Sequence, residues 1–338
     1  SIRNKFHNTA SDSIYEPEIF GDTSAYADVY RVKPKEIAFY FQDKMEFDDM
    51  VINAGLRYDI FDPASQYPDN RRNPANQLLF LGNGKWDEGE DWVDSNKNGI
   101  WDWIDSNGDS IVDQGESEVW TDTSSMMSIY PDAPPIKQLS PRIGFAYQLG
   151  NEAVLHFSYG HFFQMPPMYA MYQNNSFLVD PNDYVTTMGN TLLEPEKTIT
   201  YELGLWQGLS RNVSLDVALF YRDIYNLLST KIITTYNQVK YGLYSNKDYG
   251  NVRGLELKLD LGQGNLRGMV NYTLQYTRGN ADSPTQSFSR AGASMDPVNR
   301  FIPMSWDQRH TLNGSMIFSM KNYGATLTAY YNSGSPYT

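Results

Sequence analysis

"LELKLDLGQGNLRGMVNYTLQY" runs from Leu255 to Tyr276, and its reading decides the fold. Leu255, Leu257, Leu259 and Leu261 alternate with Glu256, Lys258 and Asp260. After a short break at Gly262 to Asn265, Leu266, Val270, Tyr272, Leu274 and Tyr276 alternate with Arg267, Asn271, Thr273 and Gln275. A period of two places every apolar side chain on one face of a strand and every polar one on the other. Working outward, the same pattern returns in Ile37 to Phe41, Ile52 to Ile60, Ile143 to Leu149, Leu155 to Tyr159, Ile199 to Leu205, Val213 to Tyr221, Leu312 to Phe318 and Tyr323 to Tyr331. The spacing predicts ten strands, each near the length needed to cross a bilayer at a tilt.

The connections choose between a soluble sandwich and a membrane barrel. Lys44 to Asp49, Gly150-Asn151, Gly208 to Asn212, Gly262 to Asn265 and Lys321-Asn322 are short. Phe61 to Ser140, Gln164 to Lys197, Asn226 to Gly250 and Gly279 to Gln308 are long, and the two kinds alternate. A sandwich has no reason to segregate loop lengths by side, whereas outer-membrane barrels carry short periplasmic turns and long extracellular loops. The expected fold is therefore all-β: part of an antiparallel transmembrane barrel from 37 to 338, preceded by an extracellular loop remnant at 1–36. Tyr58, Phe61, Tyr147, Tyr221, Tyr276 and Tyr331 sit near strand ends and suit interfacial girdles. Both ends of the chain fall on the long-loop side, so a longer barrel is expected. The polar set Arg57, Asp59, Glu202, Glu256, Lys258 and Asp260 faces the lumen, as a hydrated wall or a solute path.

Composition agrees with this reading. Aromatics make up 14% of the 338 residues, led by 25 Tyr, and there is no Cys. Disulfides and thiolate metal sites are thereby excluded. The mean hydropathy is −0.53, and no run of 18 apolar residues forms a transmembrane helix. Of the net charge of −13, a share of −10 lies between Lys85 and Asp122. No basic face remains for a nucleic acid. No nucleophile–histidine arrangement and no phosphate loop appears, so enzymatic activity is not expected.

The acidic share belongs to an insertion at about 82–122 that contains "DSNKNGIWDWIDSNGDSIVDQGE" (94–116). With Asp94 at position one, Asn96, Asn98, Ile100, Asp102 and Asp105 take positions three, five, seven, nine and twelve, with Gly99 at six. Restarting at Asp105, Asn107, Asp109, Ile111, Asp113 and Glu116 repeat the series. That is the oxygen-ligand spacing of an EF-hand calcium loop, with Ile100 and Ile111 contributing backbone carbonyls. Trp86, Asp87 and Glu90 form a partial third copy. Ser110 stands where the second Gly belongs, and Asp105 replaces the long Glu. No helices flank the ladder, so it reads as a rigid calcium clip rather than a sensor.

Several segments, in the same order, resemble the barrel of TonB-dependent outer-membrane receptors. They are "EIAFYFQDKMEFDDMVINAGLRYDIFDP" (36–63), "GNTLLEPEKTITYELGLW" (189–206), "FYRDIYNLL" (220–228), "NVRGLELKLDL" (251–261), "DQRHTLNGSM" (307–316) and "YYNSGSPYT" (330–338). The resemblance covers most of Glu36 to Thr338. It implies a barrel of twenty-two strands of which this chain supplies the second half without the last strands. It also implies a plug domain and a TonB-contacting box before Ser1, and the outer membrane of a Gram-negative bacterium. The implied activity is import of a siderophore, cobalamin, glycan or peptide, driven by the TonB complex. Outer-membrane lipid is the implied surrounding, and a surface lipoprotein is a further partner class. A passive porin, or a scaffold or adhesin built on a barrel, is the alternative. The calcium-like insertion is not a general feature of such receptors.

Two long loops carry aromatics and methionines that need not face lipid. Met165, Met168, Tyr169, Met171 and Tyr172 lie in one; Tyr236, Tyr241, Tyr244 and Tyr249 lie in the other. They either form an adaptable ligand surface or pack loop against loop. As a ligand surface they suit sugars or peptides better than small anions.

Overall fold

The computed structural model describes residues 30–74, 76, 128, 130–175, 177–295 and 301–336. In chain order the elements are β1 (Lys35–Glu46), β2 (Met50–Asp62), β3 (Ile136–Leu149), β4 (Ala153–Gln164), α1 (Met168–Tyr172), β5 (Thr187–Met188), β6 (Glu196–Ser210) and β7 (Val213–Thr234). They continue with β8 (Lys240–Gln263), β9 (Leu266–Gly279), α2 (Gln286–Gly292), β10 (Ile302–Pro303), β11 (His310–Ser319) and β12 (Gly324–Asn332). One sheet holds all twelve strands. Its path is β1-β2-β3-β4-β6-β7-β8-β9-β11-β12, with β5 added to β8 and β10 to β9. The ten long strands are the ten expected, paired antiparallel with their neighbours. The sheet is not closed: β1 and β12 are its edges.

Register carries the two faces across the whole sheet. In an antiparallel pair, residues directly opposite share a face. Phe41 faces Leu56, Ala54 faces Ile143, Phe145 faces Phe157, and Phe157 faces Leu203. Leu203 faces Leu219, Leu219 faces Leu255, Leu255 faces Leu274, and Leu257 faces Tyr272. Tyr272 then faces Leu312, which faces Tyr331. One apolar face therefore runs unbroken over ten strands. The other face follows the same register: Gln42 opposite Gly55, Gly55 opposite Arg142, Ser158 opposite Glu202, Glu256 opposite Thr273, and Lys258 opposite Asn271. A one-residue slip in any strand would invert this order.

The apolar face is bare. Leu219 is 57% exposed and Leu327 68%. A continuous patch of that size is not tolerated in water, and a hydrocarbon surrounding removes the cost. The buried core lies elsewhere, among the long loops. Phe61, Ala170, Met171, Tyr172, Leu193, Leu228 and Tyr244 form one cluster, packed by Tyr30, Val32, Ile136 and Met165. Phe177, Met188, Tyr241 and Leu243 form another, packed by Tyr130, Val179 and Ile233. These clusters build a folded cap beyond the strand ends.

Two expectations are corrected here. Asn226 to Gly250 is not a long loop: β7 and β8 continue through it as a hairpin closed at Thr235 to Val239. About ten residues of each strand rise past β6 and β9, a projection of ~30 Å at 3.3 Å per residue. Register shifts between Ile224 and Leu228, with Asn226 at φ 59°, break the alternation there. A bulge of this kind hides strand periodicity. Phe61 is not a girdle residue. It belongs to the polar-face phase of β2 and is buried in the cap at 5% exposure.

The base of the long 63–135 connection is paired. Gln66 bridges Asp132, the Ala133 N–H donates to the Ser65 carbonyl (2.8 Å), and the Tyr67 N–H donates to the Pro131 carbonyl (3.2 Å). The Ser128 hydroxyl donates to the Asn70 carbonyl (3.0 Å) and the Tyr130 hydroxyl to the Asn76 carbonyl (2.9 Å). These bonds tie together the two ends of the 63–135 connection. The ladder 94–116 itself lies outside the described residues.

Candidate functional site

Two regions can meet a solute: the polar face of the wall and the cap. The polar face surrounds a hollow of about 770 Å³ lined by Gln42, Asn53, Arg57, Arg142, Glu202 and Arg222 among others. Its charges are held in place by neighbours on the same face. Arg57 donates to both oxygens of Asp59 (2.7–3.0 Å), and Lys258 lies 3.2 Å from Asp260. The Arg142 guanidinium lies over the Phe162 ring at 4.6 Å and that of Arg222 over Phe220 at 4.8 Å. His156 Nε2 reaches Asp216 across β6 at 3.2 Å. It can do so because Gly204 lies beneath: a Cβ there would stand 2.3 Å from the imidazole. The residues expected on the lumen side share this polar face.

The cap is a hydrogen-bonded assembly of all the long connections. The Tyr172 hydroxyl donates to the Pro63 carbonyl (2.9 Å), Arg71 to Asn190 (2.9 Å), and the Tyr241 hydroxyl to the Arg71 carbonyl (2.6 Å). Burial pushes the phenols of Tyr172 and Tyr241 up to about 12, so both remain donors at neutral pH. Burial also draws the Arg71 guanidinium down. β5 runs parallel along the projecting part of β8, with Thr187 opposite Gly242 and Met188 opposite Leu243.

Of the ligand-surface candidates, Tyr172, Tyr241 and Tyr244 are buried core residues of the cap, and Met165 packs against the first cluster. The rings of Tyr172 and Tyr241 are closed to a ligand approaching from solvent, and Tyr244 is only 4% exposed. Met168, Tyr169 and Tyr236 are exposed. Tyr236 lies under the Arg72 guanidinium at 5.0 Å. Tyr169 and Tyr244 meet edge-on at 5.7 Å, and both line a hollow of about 590 Å³. Asp183, Tyr184, Thr187, Phe288 and Ser289 complete much of its wall. Tyr184 and Phe288 form a second ring pair at 5.7 Å. Gly292 permits this closure, since a Cβ there would stand 3.0 Å from the Tyr184 Cβ.

Sequence reading missed Asp183, Tyr184, Thr187 and Phe288. They sit in "DPNDYVTTMGN" (180–190) and "TQSFSRAG" (285–292), where no period or motif marks them. Only the tertiary fold brings them to Tyr169 and Tyr244. Among the described residues no group of three His, Asp or Glu side chains is placed to hold a metal ion.

A family model described as TonB dependent receptor-like, beta-barrel, matches residues 3–338. The chain belongs to that family of outer-membrane transport receptors of Gram-negative bacteria. Among solved structures, the hemophore receptor HasR of Serratia marcescens, in complex with its hemophore HasA and heme, is 15% identical. The match covers 93% of this chain and 45% of that one with a TM-score of 0.54. The ferric-catecholate import receptor Fiu of Escherichia coli K12 is 15% identical over 88% of this chain and 34% of that one, with a TM-score of 0.48. The alcaligin receptor FauA of Bordetella pertussis is 15% identical over 93% and 40%, with a TM-score of 0.44. The chain spans between a third and a half of the length of these three receptors. Comparison with curated proteins gives no match. At this identity the likeness to HasR speaks for the fold alone.

Proposed function

We propose that the chain is the wall and cap of a receptor that captures a nutrient outside the cell and imports it across the outer membrane. The apolar face lies against lipid, the polar face lines the passage, and the TonB complex drives transport through a part of the receptor other than this barrel segment. The observation that carries this reading is the folded, pocketed cap standing beyond a wall whose register separates polar from apolar over ten strands. A passive pore needs no such cap. The test compares the spent medium of the parent bacterium with that of strains lacking this receptor or TonB. The expected result is that the same compounds remain unconsumed in both mutants. Compounds that need the receptor but not TonB would mark a passive pore, and no receptor-dependent compound would mark a scaffold.

We also propose that the 94–116 ladder holds calcium, on the support of its ligand spacing. The cations would offset an insertion that otherwise repels itself at −10. Calorimetry of the intact protein is expected to give calcium binding that weakens at least tenfold in Asp94→Ala and Asp105→Ala. Absence of heat, or heat untouched by both changes, would leave only a solvated acidic loop.

A further inference from the structure

We infer that the cap pocket bounded by Tyr169, Tyr184, Tyr244 and Phe288 is a carbohydrate site, and that its ligand is a neutral oligosaccharide. The inference rests on the reading of the cap as the place of ligand capture. Four features of the pocket point to this class. Its volume, about 590 Å³, falls in the range of roughly 300–1,000 Å³ that small ligands fill. Two aromatic pairs stand in its wall, Tyr169 with Tyr244 and Tyr184 with Phe288, of which Tyr244 and Phe288 are buried behind the partly open rings of Tyr169 and Tyr184. The negative ring face of an aromatic attracts the partly positive C–H face of a sugar. Tyr169, 41% exposed, is the ring open to such stacking. Between the rings the wall carries the hydroxyls of Thr187, Thr285 and Ser289 and the carboxylate of Asp183. That is a set of acceptors and two-way hydroxyl partners suited to sugar hydroxyls.

Asp183 is held rather than free to swing. Its Oδ1 accepts the Lys240 backbone N–H at 2.9 Å, and its Oδ2 lies 3.6 Å from Lys240 Nζ. An ionised carboxylate has about four acceptor positions, so acceptor capacity remains for two neighbouring hydroxyls of one ring. Thr187 Oγ1 accepts from Gln173 (3.1 Å), which leaves its own O–H to donate.

The same geometry argues against other ligands. An anion calls for Arg or Lys, and among the described residues neither lines the pocket. The nearby Lys240 is committed to Asp183 and to the Tyr184 ring, 5.5 Å away. An extended peptide would pair with an open strand edge. Here the edge of β8 is already covered: the Gly242 N–H donates to the Thr186 carbonyl and the Tyr184 N–H to the Lys240 carbonyl, both at 2.9 Å.

The test is binding of the intact, detergent-purified receptor to an array of neutral and acidic oligosaccharides and to an acidic peptide, followed by calorimetry on the best ligand. A neutral oligosaccharide is expected to bind. Its Kd should rise at least tenfold in Tyr169→Ala and in Asp183→Asn, while Tyr169→Phe, which keeps the ring, should stay within about threefold of the parent. Both positions are surface residues, so unchanged circular dichroism of the variants is expected and is checked alongside. The inference is overturned if no neutral sugar binds, if only acidic ligands bind, or if Tyr169→Ala leaves the affinity unchanged. Receptor-dependent and TonB-dependent uptake alongside any of these outcomes would leave the import reading standing. Pocket-dependent sugar binding without such uptake would leave the carbohydrate site standing and remove the import reading.

Discussion

Tyr172→Ala is expected to open the cap while leaving the strand wall folded. Tyr172 is 1% exposed, packs in the cluster with Phe61, Met171, Leu193 and Leu228, and ties α1 to the start of the 63–135 connection through the Pro63 carbonyl. Deleting a buried aromatic ring costs about 3–5 kcal/mol. At tenfold per 1.4 kcal/mol, hydrogen exchange in 168–172 and in the projecting part of β7 and β8 should quicken by roughly two to three and a half orders of magnitude. Exchange in the membrane-level parts of β6, β8 and β9 should not change. Tyr172→Phe removes only the hydroxyl and strands the Pro63 carbonyl, a loss of about 1–3 kcal/mol.

The same phenol gives a pH dependence of known sign. Its folded pKa, and that of Tyr241, lies above the ordinary tyrosine value of about 10. The stability this gives the cap is complete below pH 10 and is lost as pH rises toward 12. Protection of the cap should fall across that window, and less steeply in a Tyr172→Phe, Tyr241→Phe double variant.

The second large effect concerns the bare face. Leu219 stands opposite Leu203 on one side and Leu255 on the other, in the middle of the apolar band. Leu219→Arg is expected to cost about 2–4 kcal/mol, the range for a cation at the bilayer midplane. Thr273→Arg, opposite Glu256 on the polar face, should cost little. Urea midpoints of the intact receptor folded in phospholipid vesicles measure both. Equal costs would mean that the two faces do not differ in their surroundings.

The strands were legible because register rewards an uninterrupted period of two. From Leu255 to Tyr276 only Met269, opposite Asp260, is out of phase, and the fold follows the letters. The projecting hairpin was illegible for the opposite reason. Asn226, at φ 59°, sits in a bulge that shifts the phase of β7, and in the hairpin both faces of β8 are buried, with Tyr241 opposite Ile233 on one and Tyr244 opposite Thr230 on the other. The cap pocket was half legible. Tyr169 and Tyr244 stood out as aromatics with no lipid to face. Asp183, Tyr184 and Phe288 lie in short irregular segments, and what unites them is β5 pairing with β8 and α2 leaning on β7. Such long-range contacts leave no local trace. Burial also divided the tyrosines in a way composition could not. Tyr172 and Tyr241 are structural donors to backbone carbonyls, whereas Tyr169 faces the pocket.

These 338 residues contain no cysteine, so no native thiol of this segment competes with introduced ones, and this allows the most direct test of the central claim. Leu255→Cys, Glu256→Cys, Leu257→Cys, Lys258→Cys and Leu259→Cys in the intact receptor, each nitroxide-labelled in a lipid bilayer, would be read for collision with dissolved oxygen and with a water-soluble nickel chelate. A wall with its apolar face in lipid predicts strict alternation: oxygen access at 255, 257 and 259, nickel access at 256 and 258. Access without alternation, or nickel access at the leucine positions, would contradict it.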